Sequence, residues 1–460
     1  MAQALSISRD EARAPVWVAQ LFLLSLAMPF QIPVGPLLLM PHRIVLLVFF
    51  IPFFFKLFVM RRAGPILAAD WFIMASAIWA AFALFANHPP MTMIEASGIH
   101  FLEVFGAYLL ARVTLRSEAD FRRMVRTFFV MVLFLLPFAA VESVTKRPLL
   151  LNLLPSSMSP VYMGERFGLR RAQTAFAHPI LYGVFVSTSL GLFWYALKPR
   201  GIRFIAAPMS VLATIFSLSA GALASIVVQL IIIGWETVTR FLRARWRIFA
   251  LGTVAFYFLI DMLSNRTPFH VIITYLTFSS NTGYTRIHIW NFGMDNVWAN
   301  PIFGLGFNDW SRPSWLGDSI DNFWLVLMIR YGLPGFVMLV IALVLIIRRV
   351  SRADLTDPDD ILARAGYLTV FGGIVIAGGT VHYWHAMMAF AFFIFGSGVW
   401  AGTGGGQRPD DQDQDETEPP TQVSRYTRQT KRGVPIGTGG RPRPAMQGRQ
   451  RPARASRTSR

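Results

Sequence analysis

Long apolar runs, separated by short polar or charged segments, constrain this chain more than any other feature. They recur near 16–33, 42–60, 66–86, 97–113, 124–142, 173–197, 203–218, 221–239, 246–263, 321–347, 362–381 and 384–401. A bilayer hydrocarbon core is about 30 Å thick, and a helix needs roughly 20 residues to cross it. Backbone N–H and C=O groups find no water in lipid, so each run must satisfy them internally as a helix. The expectation is an all-α polytopic membrane protein with about 12 transmembrane helices. Composition agrees, since 54% of the 460 residues are hydrophobic, with 40 Phe and 13 Trp, and the mean hydropathy is +0.47.

The net charge of +18 is high enough to raise the question of nucleic-acid binding, but its distribution argues against it. Twelve of the 43 Lys and Arg lie after residue 402, and most of the others flank the apolar runs on one side. With the N-terminus inside, the cytoplasmic segments carry Arg61-Arg62, Arg112 to Arg126, Lys198 to Arg203, Arg240 to Arg247 and Arg348 to Arg352. That asymmetry is the positive-inside pattern, and the reverse orientation breaks it at nearly every loop. Both termini are therefore expected in the cytoplasm. There is no cysteine, which excludes disulfides and thiolate metal sites. Residues 1–14 are polar and mixed in charge, and they show no clear cleavable signal.

Three parts follow: a cytoplasmic N-terminal segment 1–15, a transmembrane domain 16–401, and a basic cytoplasmic tail 402–460. The tail opens on a glycine run, passes through acidic residues 410–418 and ends rich in Arg, Pro, Gly and Ser. Such a composition cannot bury a core, and disorder is expected. Two outer loops are long, 142–172 and 264–320, and long loops on one side are where extracytoplasmic chemistry belongs.

The second loop contains Tyr284-Thr285-Arg286-Ile287-His288-Ile289-Trp290-Asn291-Phe292-Gly293. Helical spacing puts Arg286, Trp290 and Gly293 on one face, and Asn300-Pro301-Ile302-Phe303-Gly304-Leu305-Gly306 ends the helix. The pattern suits an amphipathic helix at the outer membrane surface. Next come Asp321-Asn322 before an apolar run, then Arg330-Tyr331-Gly332-Leu333-Pro334-Gly335. Asp321 has a competing reading as a helix N-cap. Arg330 sits nine residues on, about 13 Å along the helix. A charge that deep calls for a polar cavity or a partner such as Glu103. In the first loop, Arg170-Arg171 precede Thr174-Ala175-Phe176-Ala177-His178-Pro179, and His178 before Pro179 also reads as a helix start. His382, Tyr383, Trp384 and His385 read as an interfacial aromatic belt rather than a metal site. No phosphate-binding glycine loop, zinc-protease motif or nucleophile elbow is present.

In order and spacing, these pieces resemble the bacterial O-antigen ligase and polymerase family of membrane glycosyltransferases. That family shows an Arg-x-x-x-Trp helix, a Pro-Ile/Leu-x-Gly-x-Gly turn, a His-Asn or Asp-Asn pair heading a membrane helix, and a Gly-x-x-Gly about ten residues later. Here these are Arg286 and Trp290, Pro301 to Gly306, Asp321-Asn322, and Gly332 to Gly335. Ligases of the family usually carry His where this chain has Asp321, which tilts the reading to a polymerase. The resemblance implies a GT-C-like fold in the bacterial cytoplasmic (inner) membrane. It implies a metal-independent glycosyltransferase without a cofactor, acting on a polyprenyl-diphosphate-linked glycan at the outer face.

On that reading Asp321 and Arg286 are catalytic, and Arg170, Arg171, His178, Trp290, Asn322 and Arg330 bind substrate. Expected partners are the lipid-linked glycan, membrane lipids, a polysaccharide flippase and chain-length or export proteins, with no nucleic acid. The alternatives are a ligase that moves glycan to a lipid acceptor, a secondary transporter, and a non-enzymatic member of a glycan export system.

The topology is open to direct test, because the chain has no cysteine background. Cysteines placed singly at Ser156 and Ser279 should react with an impermeant thiol reagent in intact spheroplasts, and one at Ser459 should not. The opposite labelling pattern would invert the orientation.

Overall fold

The computed structural model describes residues 14–34, 37–154, 156, 158–264 and 280–403. Residues 1–13 of the N-terminal segment, 265–279 of the second outer loop (Ser279 included) and the tail from 404 onward lie outside the described residues. The chain divides into two units, Met1–Arg408 and Pro409–Arg460, and every described residue belongs to the first.

Helix α1 (Val16–Leu26) leads to a small antiparallel pair, β1 (Ile32–Val34) and β2 (Leu37–Leu39), with Ile32 opposite Leu39. Then follow α2 (Pro41–Val59), α3 (Ala68–Asn87), α4 (Pro90–Thr114), α5 (Glu118–Thr145), α6 (Leu149–Leu153), α7 (Pro179–Ala196) and α8 (Arg203–Phe216). The rest are α9 (Ala220–Val238), α10 (Arg245–Leu263), α11 (Ser280–Ala299), α12 (Phe323–Ser351), α13 (Pro358–Gly378) and α14 (Ala386–Gly402). Among the described residues nine helices are long and apolar enough to cross a membrane: α2 to α5, α7, α9, α10, α12 and α13. Helices α1, α8 and α14 coincide with the other three expected spans and are shorter. The all-α polytopic membrane fold holds.

Surface chemistry supports the membrane reading. Ile51, Phe82, Val130, Phe134 and Phe256 all point outward and are more than half exposed. Contiguous apolar surface of this kind is unfavourable in water and at home in lipid. The centre of the bundle is α14, whose residues Ala386–Ser397 are all buried, against α4. Helix starts follow local chemistry. Ser117 accepts from Asp120 N at the head of α5, and Asp357 precedes Pro358 at the head of α13.

Helix α12 is broken in its N-terminal half, and the break organises that end of the molecule. Gly332 has φ 76° and ψ 174°, and Pro334 follows. In a regular helix Leu333 N would bond to Ile329 O, and residue 334 to Arg330 O. Here Leu333 N donates to Pro301 O at 2.8 Å, Ile329 O accepts from Leu305 N at 2.7 Å, and Arg330 O accepts from Gly306 N at 3.0 Å. Trp79 Nε1 on α3 donates to Tyr331 O at 3.0 Å, and Ser76 Oγ donates to Gly335 O at 2.8 Å. The turn after α11 and the break in α12 are thus complementary halves of one junction. Gly304 and Gly306 have φ of 62° and 63°, and the contact is backbone against backbone.

Space at this junction is tight enough to test. A Cβ on Gly332 would lie 2.0 Å from Ile302 O, and one on Gly304 would lie 2.4 Å from Ile329 O. Gly332→Ala and Gly304→Ala should each cost at least about 2 kcal/mol, from the clash together with the backbone conformation. Gly252→Ala, where nothing lies within 4 Å, should be neutral or slightly stabilising. Thermal unfolding in detergent micelles, followed by loss of the monodisperse peak, measures all three. Equal melting temperatures would remove the junction from the account of the fold.

Candidate active site

The end of the bundle at the head of α12 gathers charged side chains from three separated segments. Asp321 lies just before α12. Asn322, not Asp321, caps that helix: its side-chain oxygen accepts from Leu325 N at 3.0 Å. The competing reading of Asp321 as the cap thus falls to Asn322, whose side-chain oxygen is engaged there. The start of α12 is tied down further where Phe323 N donates to Val381 O at 3.0 Å. Asp321 is left half-buried, with Ser319 Oγ donating to its carboxylate at 3.1 Å.

Arg286 projects from α11, which packs on α12 where Gly293 meets Leu325. Its Nε and Nη1 atoms are buried, with no hydrogen-bond partner among the described residues. Burial lowers the guanidinium pKa, Asp321 opposes that shift, and Arg166 reinforces it. Arg171 enters from the first outer loop, donating to Ser217 O at 3.4 Å and to Met163 Sδ at 3.0 Å. Burial brings it down to about 10, with Arg166 pushing the same way and Asp321 opposing. His178 caps α7 by accepting from Ile180 N at 3.1 Å. Burial drives its imidazole down to about 4, with Arg171 acting in the same direction and Asp321 opposing. The field of Asp321 therefore reaches Arg171, Arg286 and His178 together.

Other expected site residues lie elsewhere. Arg170 turns away from this group: it donates to Lys146 O at 3.0 Å and Val161 O at 3.4 Å, stands 3.6 Å from Glu142, and covers the Tyr162 ring. Its own backbone is pinned at both ends by Ser143. Neighbours in sequence thus serve different ends, Arg170 tying the loop to α5 and Arg171 facing the cluster. Trp290 packs among Ile289, Val297, Trp310 and Leu325. Arg330 stands over the Phe307 ring at 5.2 Å and lines a cavity of about 340 Å³ with Asp309, Asp318, His382 and Trp384. The cavity alternative for Arg330 is the one realised. Glu103 pairs instead with Arg43 at 2.8 Å and His42 at 3.4 Å.

Two site residues escape sequence reasoning. Arg166 returns to the cluster through a two-residue hairpin, with Arg166 and Leu169 exchanging both backbone bonds at 3.0 Å. Phe167 and Gly168 both have positive φ, the signature of a type I′ turn; the Phe-Gly pair is the only sequence hint. Trp384, read as interfacial belt, stacks edge-on against His178 at 5.5 Å and lies on His382 at 5.6 Å. It joins the charged cluster to the cavity. Among the described residues no group of three or more His, Asp or Glu is placed to hold a metal ion.

The family model described as O-antigen ligase matches residues 204–340. That segment of a polytopic membrane protein is similar to the O-antigen ligase family. No curated protein matches it significantly. The match carries the family's membrane glycan processing, and with it a context of polyprenyl-linked glycan and membrane lipid. It spans Arg286, Asp321 and Arg330 and ends inside α12, so Arg171 and His178 join the O-antigen ligase segment through space, not through the matched sequence.

The His178 geometry carries a pH signature. Its Nδ1 is an acceptor, so the folded ring is neutral with its proton on Nε2. An unfolded His titrates near 6.5, and the folded one near 4. Between those values the unfolded chain binds the extra proton, so stability should fall as pH drops from about 6.5 toward 4. His382, driven to about 3 by burial, adds a slope of the same sign. The melting temperature should decline across this window, and His178→Asn, which can still cap, should reduce the decline. An unchanged slope in the variant would place its origin elsewhere.

Proposed function

We propose that this chain is a polymerase joining polyprenyl-diphosphate-linked oligosaccharide repeats into a surface polysaccharide or exopolysaccharide. The reaction runs at the outer face of the bacterial cytoplasmic membrane, with both termini inside. One observation carries the reading: Asp321, released from capping by Asn322, shares one electrostatic group with Arg171 and Arg286.

The donor is a glycan on polyprenyl diphosphate. An acceptor sugar hydroxyl attacks the anomeric carbon, and the bond from that carbon to the diphosphate oxygen breaks. Asp321 takes the hydroxyl proton as general base. The departing diphosphate gains negative charge, and Arg171 and Arg286 receive it through planar, two-pronged contacts. The unpartnered buried Nε and Nη1 of Arg286 supply donors that need no rearrangement. Arg166 adds positive charge to the same group. His178 is neutral, so it orients rather than neutralises. Arg170, whose guanidinium is held by Glu142 and two carbonyls, positions the first loop. The lipid-linked sugar is already activated, and the residues assigned here act without a nucleotide or a metal.

A second reading, ligation of glycan to a lipid acceptor, shares the donor chemistry and differs only in acceptor. Asp at position 321, where ligases usually carry His, favours polymerase.

Purified lipid-linked repeats in proteoliposomes test the proposal. Asp321→Asn should insert and fold normally yet form long glycan about a hundredfold more slowly or worse. Arg286→Lys should fail similarly, because a point charge cannot reproduce the fork. Asn322→Ala should instead lose about 1 kcal/mol of stability and keep most of its turnover. If Asp321→Asn polymerises at the normal rate, the general-base assignment is wrong. If glycan appears only when a lipid acceptor is added, the ligase reading replaces it.

A further inference from the structure

A second cavity lies at the other end of the bundle. Helix α9 starts beside the charged cluster, where Arg171 and Arg166 bond to the carbonyls of Ser217 and Leu218. Its 19 residues carry the chain about 28 Å further, to Arg240 and Arg243. There α9, α10, α12 and α13 enclose a crevice of about 860 Å³. Its wall is apolar, including Leu368, Phe371 and Val375, and its rim holds Arg240, Arg243, Arg245 and Arg364.

The charge balance at the rim is lopsided. Glu236 is the one acidic lining residue, and it is already engaged by the Tyr195 hydroxyl and by Arg245 at 3.3 Å. Arg364 is committed to Ala353 O at 2.6 Å. Arg240 and Arg243 are exposed and have no ion-pair partner among the described residues. The crevice also opens toward lipid. Helix α10 forms one flank, it is apolar enough to span, and none of its residues is buried. In a bilayer its neighbours are acyl chains. A crevice with an apolar wall and a cationic rim at the end of membrane-length helices has the chemistry of one amphiphile, with an anionic head and a hydrocarbon tail.

We propose that this crevice binds an anionic phospholipid. Its phosphate sits between Arg240 and Arg243, and an acyl chain lies along Leu368, Phe371 and Val375. The lipid fills the gap between α10 and the rest of the bundle and so holds α10 in place. The proposal does not depend on the reaction at the opposite end.

The test uses the full chain, purified in mild detergent from membranes containing phosphatidylglycerol and cardiolipin, with co-purified lipid quantified by mass spectrometry. Wild type should retain anionic phospholipid. Arg240→Gln with Arg243→Gln should retain at least fivefold less, whereas Arg123→Gln with Arg126→Gln, outside the crevice, should match wild type. Leu368→Trp narrows the apolar part at constant charge and should also lose lipid. The melting temperature of delipidated wild type should rise with added phosphatidylglycerol, and not with phosphatidylcholine or inorganic phosphate. Equal loss in both arginine pairs would mean general surface attraction and overturn the site. Full retention in Leu368→Trp would remove the acyl-chain contact, and a rise with inorganic phosphate alone would make the ligand a free anion. Either result rejects the phospholipid.

Discussion

Every main-chain N–H and C=O at membrane depth must find a partner, and in this protein that requirement is most demanding at the break in α12. The non-helical Gly332 and the imino Pro334 together free Leu333 N and the carbonyls of Ile329, Arg330 and Tyr331. Unsatisfied groups in lipid cost several kcal/mol each, so the break exists only because something else closes it. The Pro301–Gly306 turn and Trp79 do so, with bonds of 2.7 to 3.0 Å. Backbone packs on backbone here, and only glycine leaves room at positions 304 and 332.

The arrangement of that end of the bundle follows from that closure. Because the turn after α11 is locked to α12, α11 lies across the head of α12 and Gly293 meets Leu325. Arg286, two turns earlier on the same helix, is thereby held over the segment that carries Asp321. The polar loop 306–320 is anchored at the same place, through His88 Nε2 accepting from Phe307 N at 2.8 Å, and it forms one wall of the cavity beneath Arg330. A similar economy operates in the first loop. Glu142, at the end of α5, accepts from the amides of Gln173 and Thr174 and balances Arg170. That fixes the approach to α7 and leaves Arg171 facing the cluster.

The division of labour between Asp321 and Asn322 decides what the site can do. A carboxylate that caps a helix has its charge committed to backbone donors. With Asn322 in that role, the Asp321 carboxylate keeps its lone pairs apart from one serine hydroxyl. The surrounding arginines supply the opposing charge without closing on it as a tight ion pair: no salt bridge to Asp321 forms among the described residues. A group able to take a proton thus stands beside groups suited to a diphosphate, under partial burial where both interactions strengthen.

Much of this was legible from the residues in order. The apolar runs imposed helices, because lipid offers the backbone no other solution, and all twelve expected spans coincide with helical segments. The ordered motifs pointed to Arg286, Asp321 and the glycine turns, which the fold gathers at one end of the bundle. Three things were not readable. Adjacent positions such as Arg170 and Arg171, or Asp321 and Asn322, divide between structural and cluster-facing roles according to which neighbour claims each side chain. For the arginines the deciding contacts include Lys146 and Ser217, 24 and 46 residues away, whereas Asn322 is claimed locally by Leu325 N. The two glycine motifs, 28 residues apart from Gly304 to Gly332, proved to be halves of one joint, since a free carbonyl has no signature until its donor is placed. Arg166 and Trp384 joined the cluster only when a tight hairpin and the packing of α14 brought them there. Periodicity along one chain encodes how each helix forms, whereas a site made of several helices depends on distances between them, and those are set by packing.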